Sequence, residues 1–229
     1  MSTFDLICAG RFDEAVDACT AAMVSGPQFL ELQNRGLAYL KMGRHAEAMA
    51  DFRRAAALEP EAMRTDAHEK RIGAAQWLAG REDEAIATWR SVVEDLVRRR
   101  YSHSDAGGGI QAGLLLWFGA SRLGLGPEMA QALEWLRRRS RQPGMTLWPL
   151  PLARFVLDEV TEEQVRLEAT ASGSLAPRRA CQAAFYAATA ACRQGDAARA
   201  KALLTEAVAS GMAIPLDIEF DLALHEHRR

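Results

Sequence analysis

One short pattern recurs along this chain: Gly10-Arg11-Phe12-Asp13-Glu14-Ala15, Gly43-Arg44-His45-Ala46-Glu47-Ala48, Gly80-Arg81-Glu82-Asp83-Glu84-Ala85 and, in weaker form, Gly195-Asp196-Ala197-Ala198-Arg199-Ala200. Each copy reads as a helix end followed by a new helix. Glycine supplies the left-handed conformation that terminates the preceding helix, and acidic residues just after it favour the positive end of the next one. A turn of this kind repeated at intervals of about 34 residues is the signature of stacked helical hairpins, in which no unit buries its apolar face alone. Alanine, the strongest helix former, recurs throughout while aromatic residues make up only 7%, so the chain is expected to be helix packed on helix.

The second copy resembles the tetratricopeptide repeat family position by position, with Gly36, Tyr39, Ala48, Phe52, Ala55 and Pro60 on its signature sites. Gly36 and Ala48 let the two helices of a hairpin touch, Tyr39 and Phe52 fill the gap between neighbours, and Pro60 stops the second helix. Copy one keeps Ala15, Ala22 and Pro27 behind a shortened first helix at about residues 2–9, where Ser2 and Asp5 have capping-box spacing. Copy three keeps Gly73, Ala85 and Trp89, and without a following proline its second helix is expected to run to about Arg100. The resemblance implies an all-α, right-handed tetratricopeptide-type solenoid: three hairpins over residues 1–100, a loop over 101–109 and, over 110–229, degenerate hairpins, a last repeat-like hairpin and a C-terminal capping helix at about 216–227. Within that second half, helices are expected at 110–123, 128–139, 178–193 and 197–210, with a break at Pro143-Gly144 and a linker at Ser172-Gly173-Ser174. Trp148-Pro149-Leu150-Pro151 opens a short helix, and Thr161 to Gln164 caps another.

From about Gly113 onward the order of features is similar to that of NlpI-type bacterial lipoproteins, tetratricopeptide adaptors of the cell envelope. The features are Leu114-Leu115-Leu116-Trp117, Trp148 ahead of a short helix, Val160-Thr161-Glu162-Glu163-Gln164, and Phe185-Tyr186 followed by Gly195-Asp196, Ala200, Leu204 and Val208. That likeness implies an adaptor for a processing protease or cell-wall hydrolases, and a homodimer. The founding members carry a lipid on an N-terminal cysteine, whereas here Asp5-Leu6-Ile7 precedes Cys8, with no leucine three before it and no apolar stretch upstream. With neither signal peptide nor lipobox, and no apolar run of about 18 residues, the expected location is cytoplasmic and away from the membrane.

A net charge of −2, from 28 basic against 30 acidic side chains, argues against nucleic acid as a partner. The arginine triplets at 98–100 and 137–139 fall at helix C-termini, where cations meet the negative end of the dipole. Cys8 and Cys19 could face each other across a helical hairpin, but the four cysteines, with Cys181 and Cys192, read as small buried thiols rather than a disulfide framework. No catalytic constellation assembles and no cofactor is called for. His225 and His227 point about 200° apart on a helix and read as an exposed tail, the Gly107–109 and Gly124–126 runs lack the lysine of a phosphate loop, and Glu162-Glu163 suits an acidic first turn.

The surface expected to work is the concave groove presented by the first helix of each hairpin. The family's groove positions fall on Gln33, Leu37 and Lys41 in copy two, on Lys70, Arg71 and Trp77 in copy three, and on Phe185 and Arg193 in the last hairpin. Asn34 and Arg71 match the family's carboxylate-clamp residues, but Phe4 stands where the clamp needs asparagine. The expected function is a non-enzymatic adaptor that binds another protein. An immunity protein that neutralises a bacterial toxin is the alternative, a helical-repeat hydrolase or transferase the second, and self-association through residues 114–118 and the final helix a further option.

Overall fold

The computed structural model describes residues 1–60, 63–100, 102–142, 147–171, 173–211 and 217–229, so the expected break at Pro143-Gly144, Ser172 of the expected linker and the expected first residue of the capping helix, Leu216, lie outside the described residues. Among the described residues there are thirteen α-helices and no β-strand, a tetratricopeptide-type solenoid. The first three hairpins are α1 (Thr3–Cys8) with α2 (Phe12–Ala22), α3 (Phe29–Lys41) with α4 (His45–Leu58), and α5 (Ala67–Leu78) with α6 (Glu82–Val97). The array continues with α7 (Ile110–Leu123) and α8 (Gly126–Ser140), the short α9 (Leu150–Val156) and α10 (Glu162–Thr170), then α11 (Ala176–Arg193) with α12 (Ala197–Ala209), and α13 (Ile218–Arg228). Each helix packs on the next along the chain.

The repeated turn has one geometry. Gly10, Gly43, Gly80 and Gly195 all take φ between 73° and 79°. The residue after each donates its N–H five residues back, Arg11 to Leu6, Arg44 to Tyr39, Arg81 to Gln76 and Asp196 to Ala191, at 2.8 to 3.0 Å. This is the Schellman bond that satisfies an otherwise orphaned helix-end carbonyl, and it needs a residue without a Cβ penalty at positive φ. Gly124 (φ 69°) with the Leu125 to Ala120 bond repeats the device between α7 and α8, so the fourth hairpin keeps the turn after losing the motif's other letters. In the first three turns the arginine also pairs with the glutamate three residues on, an exposed contact of small energetic weight that marks the repeat more than it holds it.

Close helix approach depends on glycines, Gly36 and Gly73 among them. A Cβ on Gly36 would meet the Phe52 ring at 2.7 Å, and one on Gly73 would meet Trp89 Nε1 at 2.3 Å. Trp89 begins an aromatic run through the interior, with Trp77 at 5.8 Å, Phe118 at 4.8 Å from Trp77, Phe185 at 4.8 Å from Phe118, and Tyr186 at 5.1 Å from Phe185. Side chains from α5, α6, α7 and α11 thereby share one core.

Both expected capping boxes form, Ser2 with Asp5 on α1 and Thr161 with Gln164 on α10. Three readings are corrected. α6 ends at Val97 rather than near Arg100, because Arg99 turns to φ 57° and Arg100 N–H closes the helix onto Asp95 O at 2.8 Å. The 114–118 segment offers no surface for self-association: Leu114, Leu115, Leu116, Trp117 and Phe118 are each at most 1% exposed, because α7 lies mid-array against α6, α8 and α11. Residues 225–227 are not an exposed tail, since Glu226 is 7% exposed and fully engaged. Of the cysteines, Cys19 and Cys181 are the expected buried thiols, whereas Cys8 and Cys192 are exposed free thiols instead.

Candidate functional site: a concave groove filled by the final helix

α13 packs on α12 and α11, as a cap on the last hairpin does, and also reaches across the concave side to α5. Along the way its carboxylates are met one at a time by the helices that line the groove. Asp217, at the head of the helix, faces Arg178 Nε of α11 at 2.5 Å. Glu219 accepts from Gln111 Nε2 of α7 at 2.9 Å and from the Tyr186 hydroxyl of α11 at 3.3 Å. Asp221 accepts twice from Lys41 Nζ of α3, at 2.7 and 2.8 Å. Glu226 accepts from Trp77 Nε1 of α5 at 2.9 Å and pairs with Arg122 Nε of α7 at 2.8 Å.

On an ideal helix Ile218 and Leu222 lie side by side, Asp217 and Asp221 flank them on one side, and Glu219 and Glu226 lie on the other, between Leu222 and Ala223. Those three apolar residues are at most 4% exposed and join the main core. The groove therefore holds α13 on several sides: Ile218, Leu222 and Ala223 join the main core, and each carboxylate is answered by a fixed donor on a neighbouring helix. Burial pushes the Asp217 carboxyl up to about 7 against the opposing pull of Arg178, and pushes Asp221 up against the pull of Lys41. Burial, reinforced by the neighbouring Glu219, holds the Tyr186 phenol well above its usual range, so it is a donor at any physiological pH. His45 and His225, which share the lip of this contact, are both drawn down chiefly by burial.

The groove residues expected from sequence divide into covered and open positions. Lys41 and Trp77 lie under α13 as described, and Phe185 is 1% exposed in the aromatic run beneath it. Leu37 is 1% exposed within the core of the first three hairpins. Lys70, expected to face a partner, is 2% exposed and lies 3.2 Å from Asp66 and 3.8 Å from Asp105, an ion cluster that ties the loop before α7 to the start of α5. Asp66 Oδ1 also accepts from Ser104 N–H at 2.7 Å in that cluster. Its spacing from Asp66, one helical turn, was the local sign of this pairing.

Arg71 is 9% exposed, 6.0 Å from the Phe52 ring centroid, and burial lowers its pKa to about 10. Asn34 is spent on Thr3 Oγ1 at 2.8 Å. Gln33 remains half-buried and Arg193 exposed, the latter 5.7 Å over the Trp117 ring. Leu30, Gln33, Leu37 and Lys41 share one face of α3, and its first turns stay open, with Leu30 62% exposed. Gln111, Arg122, Arg178 and Tyr186, and every carboxylate of α13, were not foreseen, because each acquires its role from a residue far away in sequence.

Beside the end of α13 lies a cavity of about 470 Å³ with an apolar floor that includes Phe118, Phe185 and Leu204, and with Arg122 and Lys201 at its rim. Among the described residues no group of three metal-binding side chains converges, and no helix is long and apolar enough to cross a membrane. The tetratricopeptide repeat family model matches residues 30–61, the span of α3 and α4, which makes that hairpin a repeat of a protein-interaction module. No curated protein matches the chain.

Proposed function

We propose that this chain is a non-enzymatic adaptor that binds another protein through the concave face of its repeat array. The observation that carries the reading is the way the groove already holds a helix: four separate helices supply the donors for one acidic segment, and the floor beneath it is apolar. That arrangement is similar to the helix-in-groove mode of recognition, in which apolar anchors of a helix seat in a trough and polar groups set the register. The open first turns of α3, with Leu30 and Gln33, are the part of the groove a partner meets first. A role beside a processing protease or a cell-wall hydrolase follows from the NlpI-type likeness, and a toxin is the partner under the alternative reading.

The test is affinity purification of the tagged full chain from its native host, comparing wild type with the Leu30→Asp, Gln33→Glu double variant. One protein recovered at stoichiometric level with wild type and lost with the variant is the expected result. Absence of any stoichiometric partner, or a partner indifferent to both changes, refutes a groove-binding adaptor.

A further inference from the structure

The groove and α13 are complementary in a manner that a plain terminal cap does not require. A cap needs only to cover the apolar side of the last hairpin, and α13 does so by packing on α11 and α12. Four carboxylates nevertheless enter the interior, and each finds a donor on a helix of the array: Asp217 on α11, Glu219 on α7 and α11, Asp221 on α3, Glu226 on α5 and α7. Sequestering ionised pairs returns little net stability, because desolvation offsets most of the attraction, whereas it discriminates strongly among occupants. The contact is thus built for selectivity more than for tightness.

We propose that α13 is an intramolecular stand-in for the segment the adaptor captures, and that the partner presents an acidic helix with the same spacing of carboxylates and apolar anchors, which displaces α13 from Lys41, Trp77 and Arg122. This rests on the adaptor reading above and names the chemistry of its ligand. Two further features agree with an exchangeable occupant. α13 is short, eleven residues, so little helical stability is intrinsic to it. The open end of the same groove, at Leu30 and Gln33, gives an incoming helix a place to engage before α13 has left. The affinity seen for the partner is then lowered by the fraction of molecules in which the groove is closed, and anything that loosens α13 raises it.

The experiment uses the full chain and a fluorescent peptide spanning residues 217–229 as probe, read by anisotropy. Against wild type the peptide is expected to bind weakly. Against the Asp221→Asn chain, in which the resident helix has lost its hold on Lys41 while the groove is intact, it should bind about tenfold more tightly. Adding Lys41→Gln to that chain should cancel the gain, and a peptide with all four carboxylates changed to amides should not bind. Failure of the peptide to bind an Asp221→Asn chain whose circular dichroism is that of wild type overturns the proposal, as does equal binding of the amide peptide.

Should Asp221→Asn fail to fold, hydrogen exchange on the wild-type chain with excess isotope-labelled peptide decides the matter. Loss of protection at residues 218–228 of the chain supports displacement, and unchanged protection overturns it. A dimer of the wild-type chain with exchanged α13 helices would assign the groove to a second copy and also overturn the proposal. If the peptide fails while the host partner is still captured through Leu30 and Gln33, the acidic-helix inference falls and the adaptor reading stands; if the host yields no partner either, both fall.

Discussion

Replacing Lys41 by methionine removes the cation that Asp221 uses, and the size of the penalty can be worked from the pair's geometry. Both carboxylate oxygens of Asp221 lie within 2.8 Å of Lys41 Nζ, and the two side chains are 3% and 11% exposed. Leaving a buried carboxylate without its partner costs about 3 to 5 kcal/mol. The molecule has one escape, which is to protonate the acid. From the ordinary value of 3.8 that costs ~4.4 kcal/mol at pH 7, so the penalty of the variant is bounded near that figure and shrinks to ~1.6 kcal/mol at pH 5.

The sign follows from the shift. An acid whose folded pKa is raised is favoured by protonation, so the variant regains stability as pH falls and loses it as pH rises. Lys41→Met with Asp221→Leu, by contrast, replaces the pair with apolar side chains and should lie within about 1 kcal/mol of wild type. Urea unfolding of the four chains of the cycle at pH 7 and pH 5 measures all of this. The expectation is a single-variant loss of about 3 to 4 kcal/mol at pH 7, a clear reduction at pH 5, and a coupling energy above about 2 kcal/mol. A loss below about 1 kcal/mol at pH 7, additive with that of Asp221→Leu, would mean that α13 is not docked on α3 and that the filled groove is wrong.

Gly73→Ala gains about 1 kcal/mol of helix propensity but drives a methyl into Trp89, so a net loss of about 2 kcal/mol is expected by thermal or urea unfolding, while Gly126→Ala, with open space around it, should be neutral or slightly stabilising. His68 is 1% exposed beside Phe29 and Phe52, and burial lowers its pKa from 6.5 to about 4. A histidine kept neutral in the fold contributes stability above its unfolded pKa that is lost on acidification. Between pH 7 and 4 wild type should therefore lose about 3 kcal/mol relative to His68→Phe, and parallel pH profiles would contradict the assignment. Thr161→Ala removes the capping box of α10 and should cost about 1 kcal/mol, with faster amide exchange confined to that helix.

The parts legible in the sequence are those with local causes. A Schellman turn needs glycine at one position, a capping box needs Ser2 with Asp5 or Thr161 with Gln164, and hairpin contact needs Gly36 opposite Phe52. All of these are written within a few residues or within one repeat. The end of α6 is not legible in the sequence, because Arg99 adopts a conformation usually left to glycine or asparagine, and its identity announces nothing. The filled groove was illegible for a different reason. Lys41 meets Asp221, and Trp77 meets Glu226, across most of the chain, so the final helix carried only the composition of a solvated cap, and Lys41 and Trp77 looked free to meet a partner. Lys70 shows the intermediate case, since Asp66 one turn earlier was a legible partner that groove projection overrode.

A stack of helical hairpins is ordinarily a one-dimensional material, in which each unit feels only its neighbours and the array melts from its ends inward like a zipper. α13 changes the dimensionality. By bonding the last hairpin to the second and third it turns an open strip into a closed arch, and the contacts along that seam have a sequence separation that a strip never has. Fraying of the last hairpin then withdraws support from α3 and α5, and loosening of α3 is felt at α12, so the two halves should melt as one cooperative unit while α13 is seated and as two when it is not. Occupancy of the groove would thus be readable in the number of unfolding transitions, without any label on the site itself.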